Sequence, residues 1–374
     1  MKSKKNIFIT GATGLLGSHI LKIILEKENA DVILLIRGEN KKVSERRTET
    51  LIKQILKNKF DKKILNRIKV INGDVTINGL SQEENLLKDE FNKIDTIYHC
   101  AALTGFRIPL EEARKVNVRG TENVLEFAKK CERLRNFNYI STTFVIGDKN
   151  GFFSENDNIN QGQGFNNTYE QSKFDAELLI EENRRGRFKI AIFRPSIITG
   201  DYLTGETSNF KMFYQLLQLF SLGLFKEVPA SLDVKHNLIP VDILAKAIYI
   251  LASYENKNET YHIINPHDVL CYNFMKLASD FFGYKNPKWV NLEDFDLNKF
   301  TPVQKEIIGP FIPYLNYKAS YTADKTNKIL KKYNFQYPLI DDLYYIRTFH
   351  YCDKVSFIKI KNRNSTYVFK GKKL

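Results

Sequence analysis

Residues 7–17 read IFITGATGLLG, and this stretch decides the fold. Ile7–Thr10 is a short β-branched run of the kind a buried strand shows. Gly11, Gly14 and Gly17 then recur at every third position, and an amphipathic pattern runs from Leu15 to Lys27. Strand, glycine turn and helix in succession are the context in which glycines let the backbone approach a pyrophosphate at a helix N-terminus. A bare strand-to-helix turn would use the same residues. The register favours dinucleotide binding, with Thr10, Gly11, Thr13, Gly14, Leu15, Leu16 and Gly17 as the contact residues.

The same alternation continues downstream. Val32–Ile36, Lys69–Gly73, Thr96–Cys100, Phe137–Thr142 and Lys189–Arg194 read as further buried strands. Lys41–Lys57, Leu110–Cys131 and Tyr169–Arg184 read as helices between them. Strands alternating with helices imply βαβ crossovers and an α/β fold, a parallel sheet covered on both faces. After Gly200 the alternation weakens, aromatics gather (Phe210, Phe213, Tyr214, Phe220, Phe225), and Pro287, Pro302, Pro310 and Pro313 interrupt the pattern. Leu238–Leu251 and Tyr261–Pro266 look like returns to the sheet. The expected division is a nucleotide-binding domain over residues 1–200 with returning segments at about 236–268. A smaller, discontinuous substrate-binding lobe takes residues 201–235 and 269–374.

Composition narrows the class. The chain has 374 residues, 43% hydrophobic and 27% charged, values of a globular protein rather than a disordered or fibrous one. Polar residues break every apolar stretch before the ~18 residues a membrane span needs. The lysine-then-apolar start lacks a small-residue cleavage site and reads as folded structure rather than a leader. Cys100, Cys131, Cys271 and Cys352 lie far apart with no metal-ligand spacing, the usage expected of a reducing cytoplasmic compartment. The net charge of +14 suits a polyanionic partner or reflects a lysine- and asparagine-rich composition, and no nucleic-acid motif accompanies it.

Site candidates follow the strand ends. About 20 residues beyond the glycine loop, where an acidic side chain would accept from a ribose 2′-hydroxyl, stands Arg37. A guanidinium there can bind a 2′-phosphate, and Lys41 and Lys42 add to the field, so NADPH is the expected cofactor. Asp74 is placed to accept from an adenine amino group, although Asn72-Gly73-Asp74 is also good turn chemistry. His99, Cys100, Ala101 and Ala102 end the fourth strand with small residues that would admit a nicotinamide ribose. Tyr-x-x-x-Lys spacing recurs at Tyr272/Lys276, Tyr284/Lys288, Tyr314/Lys318 and Tyr321/Lys325 and is uninformative alone. Tyr169 and Lys173 differ by position: they open an amphipathic helix and follow a strand ending in Ser141-Thr142-Thr143. On a helix i and i+4 share a face, so Lys173 is expected beside the phenol, lowering its pKa from the usual ~10. Thr142, counted back from Gly147, is the expected second donor.

Together, TGATGLLG, Asp74, HCAA, NVRGT, STTFVIG, YEQSK and FRPSIITG, in this order, resemble the extended short-chain dehydrogenase/reductase superfamily. The resemblance implies a Rossmann-type doubly wound sheet, a nicotinamide cofactor and a catalytic set carried over as Thr142, Tyr169 and Lys173. It adds Val75, Ala101, Ala102, Asn117, Pro195, Ser196 and Ile198 to the cofactor-binding residues, with Asn117 as a structural or relay residue. LLIRG with Arg37, NGLS after GDV, the Leu103–Thr121 stretch, RPSIITGDYLTGE, IPVD and the late IRTFHYCDKVSFI are similar to the thioester reductase and fatty acyl-CoA reductase branch. Pro266–Ala319 matches no part of that pattern.

That branch implies hydride transfer from NADPH to an acyl thioester carbonyl, with release of an aldehyde and a thiol, and an alcohol if a second transfer follows. An acidic acyl carrier protein or coenzyme A would suit the basic surface, and Phe210–Phe225 would line an acyl pocket or simply form core. The alternative is a sugar-nucleotide epimerase, dehydratase or reductase with the same site, for which Lys211, Lys226 and Lys235 are the available diphosphate clamps. An alcohol dehydrogenase and a catalytically idle NADPH-binding regulator complete the range.

Overall fold

The computed structural model describes residues 4–81, 91–223, 227–254 and 258–360. The chain divides into two compact units. The first takes Met1–Ser196, Val241–Ile264 and Tyr321–Gln336, and the second takes Ile197–Pro240, Asn265–Ser320 and Tyr337–Leu374.

The first unit is built on seven parallel strands: β1 (Lys5–Thr10), β2 (Ala30–Ile36), β3 (Ile68–Asn72), β4 (Thr96–His99), β5 (Asn136–Ile140), β6 (Lys189–Pro195) and β7 (Glu259–Ile263). Their order is β7-β6-β5-β4-β1-β2-β3, the Rossmann-type arrangement. β1 pairs with β2 on one side and β4 on the other, with Ile9 opposite both Leu34 and Tyr98. The chain therefore reverses direction across the sheet between β1 and β4, which opens a crevice at their carboxyl ends. Among the described residues the helices are α1 (Leu15–Lys27), α2 (Lys41–Leu56), α3 (Leu110–Asn117), α4 (Arg119–Lys130), α5 (Thr168–Glu182), α6 (Val241–Ser253) and α7 (Asp324–Lys332). α4 and α5 pack together, as do α1 and α6. Beside α4 the core holds Phe8, Ile33, Ile71, Val124, Phe127, Phe137 and Ile190, all almost fully buried, and the rings of Phe8 and Phe127 lie 4.7 Å apart.

Several expectations need correction. Leu110–Cys131 is two helices rather than one. The Thr121 hydroxyl takes the Asn117 carbonyl at 2.6 Å, and the Asn117 side chain turns inward to the Leu103 backbone, so the helix is reset at Val118. β5 ends at Ile140, and Thr142 caps a single 3₁₀ turn, Thr143–Ile146, by accepting from the Phe144 N–H at 3.3 Å. In Leu238–Leu251, only Leu238–Pro240 is strand. It pairs with Ile197–Thr199 in the second unit, while α6 returns to the first.

Tyr321–Gln336, assigned by sequence to the second lobe, belongs to the first unit. Ala323 precedes α7 and has no capping side chain. The buried Glu155 carboxylate does the capping, accepting from the Lys325 N–H at 2.9 Å and the Thr326 N–H at 3.2 Å, and also from the His262 N–H at 3.2 Å. A carboxylate at a helix N-terminus is favoured by the exposed N–H groups and the helix dipole.

The second unit is a helical core with three two-stranded sheets among its described residues. Helices Phe213–Ser221, Cys271–Phe282 and Asp342–Lys354 meet through Phe213–Phe274 and Phe274–Tyr345 ring contacts at 5.3 and 5.8 Å. The unplaced stretch Pro266–Ala319 thus supplies core. Phe213, Tyr214 and Phe220 are buried as core too, whereas Phe225 and Lys226 lie outside the described residues. No described helix is long and apolar enough to cross a membrane.

Candidate active site

Every predicted site residue except Ile198, which sits in a strand of the second unit, lies in the first unit. Each falls at or beyond the carboxyl end of a strand or on the helix that follows. The glycine loop continues β1. Gly11 has φ +71°, and a Cβ on it would stand 2.5 Å from the Ala101 nitrogen; one on Gly17 would stand 2.2 Å from the Gly11 carbonyl oxygen. Loop, β4 terminus and α1 therefore touch backbone to backbone. Gly11→Ala combines strain with a clash and should cost about 1–3 kcal/mol. It should also abolish NADPH binding, read by thermal unfolding and by fluorescence titration of the nucleotide.

These residues fit a dinucleotide. Gly14 is the N-cap of α1 and offers no side-chain cap, leaving the first-turn N–H groups at a surface where Thr13 and Gly14 are exposed and Leu15 is half-buried. The Ser196 hydroxyl, just past β6, is buried without a hydrogen-bond partner, so a polar group of a ligand could complete it.

At the β2 tip the exposed Arg37 guanidinium lies 3.6 Å from the Asp74 carboxylate. Arg47, from α2, donates to the Arg37 carbonyl, which places a second guanidinium at this corner. Sequence reasoning missed Arg47, whose only signal is its place one helix beyond β2. The other Asp74 oxygen accepts from the Thr76 N–H at 2.9 Å, so the turn role exists beside any ligand role. Val75 is buried under Gly120. Lys41 and Lys42 are exposed at the start of α2.

At the other side of the crevice, Asn167 caps α5 by accepting from the Glu170 N–H at 3.0 Å, which fixes where Tyr169 leaves the helix. The Thr142 hydroxyl is hydrogen-bonded to the Tyr169 phenol. Burial nevertheless outweighs this bond and pushes the phenol up to about 12. The Lys173 amine donates to the Tyr139 hydroxyl at 2.7 Å and the Ile140 carbonyl at 2.6 Å, both on β5. Burial therefore sets the direction of the Tyr169 shift, and Lys173 is not among the groups acting on it here. Burial also drags the lysine down to about 7, with Glu177 and Cys100 acting to raise it. Asn117 positions the helix, donating to Ser172 Oγ at 2.9 Å while its carbonyl oxygen accepts from the Leu103 N–H at 2.7 Å.

His99 is a buried link rather than a wall of the crevice. Nδ1 meets Thr10 Oγ1 at 2.7 Å and Nε2 meets Thr121 Oγ1 at 3.0 Å. Burial, and then Lys173, holds the imidazole down to about 3, so it is neutral. Burial pushes the half-buried Cys100 thiol up to about 12. Behind the site, Arg194 of β6 pairs with Glu177 of α5 through Nε at 2.8 Å and Nη2 at 2.6 Å.

Among solved structures, the terminal R domain of the myxalamid PKS-NRPS pathway superposes with TM-score 0.81 at 24% identity, covering 97% of this chain and 94% of that one. UDP-glucuronic acid 4-epimerase from Bacillus cereus, in complex with NAD, gives 0.65 at 16% identity over 93% and 96%. Identities this low establish the fold. A linear gramicidin synthase polypeptide of Brevibacillus parabrevis is 25% identical over 94% of this chain but only 7% of its own length. A putative fatty acyl-CoA reductase of Drosophila melanogaster is 25% identical over 67% of this chain and 52% of its own length. The chain thus spans about half or less of these curated relatives. The model of the male sterility protein family matches residues 9–248. Since that match takes in the glycine loop, Tyr169 and Lys173 and covers well over half of the sequence, the chain belongs to the male sterility protein family of NAD-binding domains.

Proposed function

We propose that this chain is an NADPH-dependent reductase of acyl thioesters, carried on coenzyme A or on a carrier protein, that releases an aldehyde. The observation that carries this reading is the Thr142–Tyr169 hydroxyl pair, with Lys173 one turn along the same helix as Tyr169. Relatives that include a putative fatty acyl-CoA reductase and L-2-aminoadipate reductases support the substrate class. The basic chain would favour an acidic carrier, and Arg37 with Arg47 would take the 2′-phosphate.

When bound, NADPH supplies the hydride that the thioester carbonyl carbon receives. Gly11–Gly17 would hold the pyrophosphate, and Ser196 has an open hydrogen bond for the nicotinamide end. Tyr169 donates to the carbonyl oxygen as negative charge develops there and passes its proton across. Thr142, donating to the Tyr169 oxygen, steadies the phenolate that remains. Lys173 keeps one N–H donor beyond the two spent on β5, available to the cofactor ribose. The phenolate takes back the hydroxyl proton of the hemithioacetal as its C–S bond breaks, giving the aldehyde and a thiolate that takes a proton from water.

The direct test is nucleotide oxidation by the purified protein against acyl-CoA and acyl-carrier thioesters, with trapping of aldehyde. Turnover with NADPH ahead of NADH is expected. No turnover of any thioester, together with NAD(H) retained through purification, would replace this reading by the sugar-nucleotide one. Arg37→Ala with Arg47→Ala should lower kcat/KM for NADPH about 10–100-fold, the about 1.5–3 kcal/mol of hydrogen bonds to a charged group. NADH use should be unchanged in the same assay.

A further inference from the structure

The buried hydrogen bonds around Lys173 form a set with one allowed polarity. Lys173 can only donate, so the Tyr139 oxygen accepts from it at 2.7 Å and the phenol proton must go elsewhere. Thr121 hydrogen-bonds Tyr139 and has its own proton committed to the Asn117 carbonyl at 2.6 Å, so its oxygen is the one left to accept the phenol proton. Thr121 Oγ1 therefore also accepts from His99 Nε2–H at 3.0 Å, which leaves Nδ1 to accept from the Thr10 hydroxyl at 2.7 Å. The Thr10 oxygen in turn accepts from the Ala101 N–H at 3.4 Å. Thr10, His99, Thr121, Tyr139 and Lys173 come from β1, β4, α4, β5 and α5, and all five are at most 2% exposed. A fully committed chain of this kind leaves the Tyr139 hydroxyl no second orientation.

We propose that Tyr139 is the positioning residue for Lys173: its phenol oxygen, locked by Thr121 and His99, holds the amine on β5 in its charged form and aims the remaining donor at the dinucleotide. The inference rests on Lys173 serving the cofactor, as in the proposed function, and does not require that the substrate be a thioester.

The groups facing the amine are Tyr139 on β5, His99 and Cys100 at the end of β4, and Glu177 on α5, with Arg194 of β6 behind Glu177. Burial already disfavours the ammonium, and Tyr139 counters it by accepting a hydrogen bond from the charged form. Tyr139→Phe keeps the ring and removes only that acceptor. The amine then loses its proton at lower pH, and the loss of function appears as pH rises.

The test is NADPH affinity by fluorescence titration from about pH 6 to about pH 9, for the wild type, Tyr139→Phe and Lys173→Met. Lys173→Met should bind weakly with no pH dependence from the amine. Tyr139→Phe should match the wild type at the acid end and weaken about tenfold more than it toward the alkaline end, as a shift of one pKa unit gives. A constant deficit at every pH, or no deficit, would overturn the proposal. Should Tyr139→Phe fail to fold, Thr121→Val removes the acceptor that locks the phenol and must shift the profile in the same direction. This readout needs no turnover, so absence of thioester reduction would sink the proposed substrate and leave the positioning question answered.

Discussion

Tyr169→Phe should lower kcat for thioester reduction about 10²–10⁴-fold, the usual contribution of a positioned acid, while NADPH affinity stays at the wild-type value. The substitution removes one oxygen. That oxygen's hydrogen bond is to Thr142, and Thr142 keeps its bond from the Phe144 N–H. The ring keeps its place 6.4 Å from Phe106. Little structural consequence is therefore expected, and the loss should fall on the chemical step rather than on KM for the nucleotide. The phenol, held up at about 12 by burial, stays protonated through neutral and mildly alkaline pH. It is then always in the donating form, and any alkaline decline in the wild-type rate belongs to Lys173. Single-turnover rates with a chosen acyl-CoA, measured across pH, check both parts. A Tyr169→Phe enzyme that keeps more than a tenth of the wild-type rate would show that the developing oxyanion is met by another donor, Thr142 being the nearest.

What could be read beforehand was set by local physics. IFITGATGLLG could be placed to the residue because the hydrophobic period changes from strand to helix across glycines whose spacing has a steric cause. α1 and the first-unit strands came from the same signal. Thr142 and Tyr169 could be singled out because one lies in a hydroxyl cluster ending a strand, counted back from Gly147, and the other opens a helix. The i, i+4 rule puts Lys173 on the Tyr169 face but cannot see what a buried amine bonds there, which is the Tyr139 hydroxyl and a strand-end carbonyl. Within FNYIST, Tyr139 reads as one more apolar strand residue, since alternation records which face a side chain takes and not what its hydroxyl finds there. Tyr321–Gln336 failed similarly: its tie to the first unit is the capping of α7 by Glu155, which is distant in sequence.

The second large effect concerns stability. Glu177→Gln should cost about 3–5 kcal/mol, the usual cost of breaking a buried pair, because it leaves Arg194 as an uncompensated buried cation. Glu177 and Arg194 side chains are 0% and 5% exposed, so water cannot easily replace the lost partner. The Glu177 carboxylate also accepts from the Ser141 hydroxyl. On the far side Arg194 donates through Nη1 to His262 Nε2 at 3.2 Å, which leaves His262 Nδ1–H for the Thr322 carbonyl at 2.8 Å. The pair thus joins α5, the end of β5, β6, β7 and the late Tyr321–Gln336 segment. Glu177 lies one turn beyond Lys173 on the same buried face of α5, and it is the main group holding the amine toward its charged form. Losing it should therefore weaken the fold and bring the alkaline decline in activity to lower pH together. Adding Arg194→Met removes the stranded cation. That double variant should regain much of the stability in urea unfolding while keeping the shifted pH profile, because Lys173 still lacks its carboxylate. A double variant as unstable as Glu177→Gln alone would mean that the carboxylate's bond from Ser141, rather than the ion pair, holds α5 to the sheet.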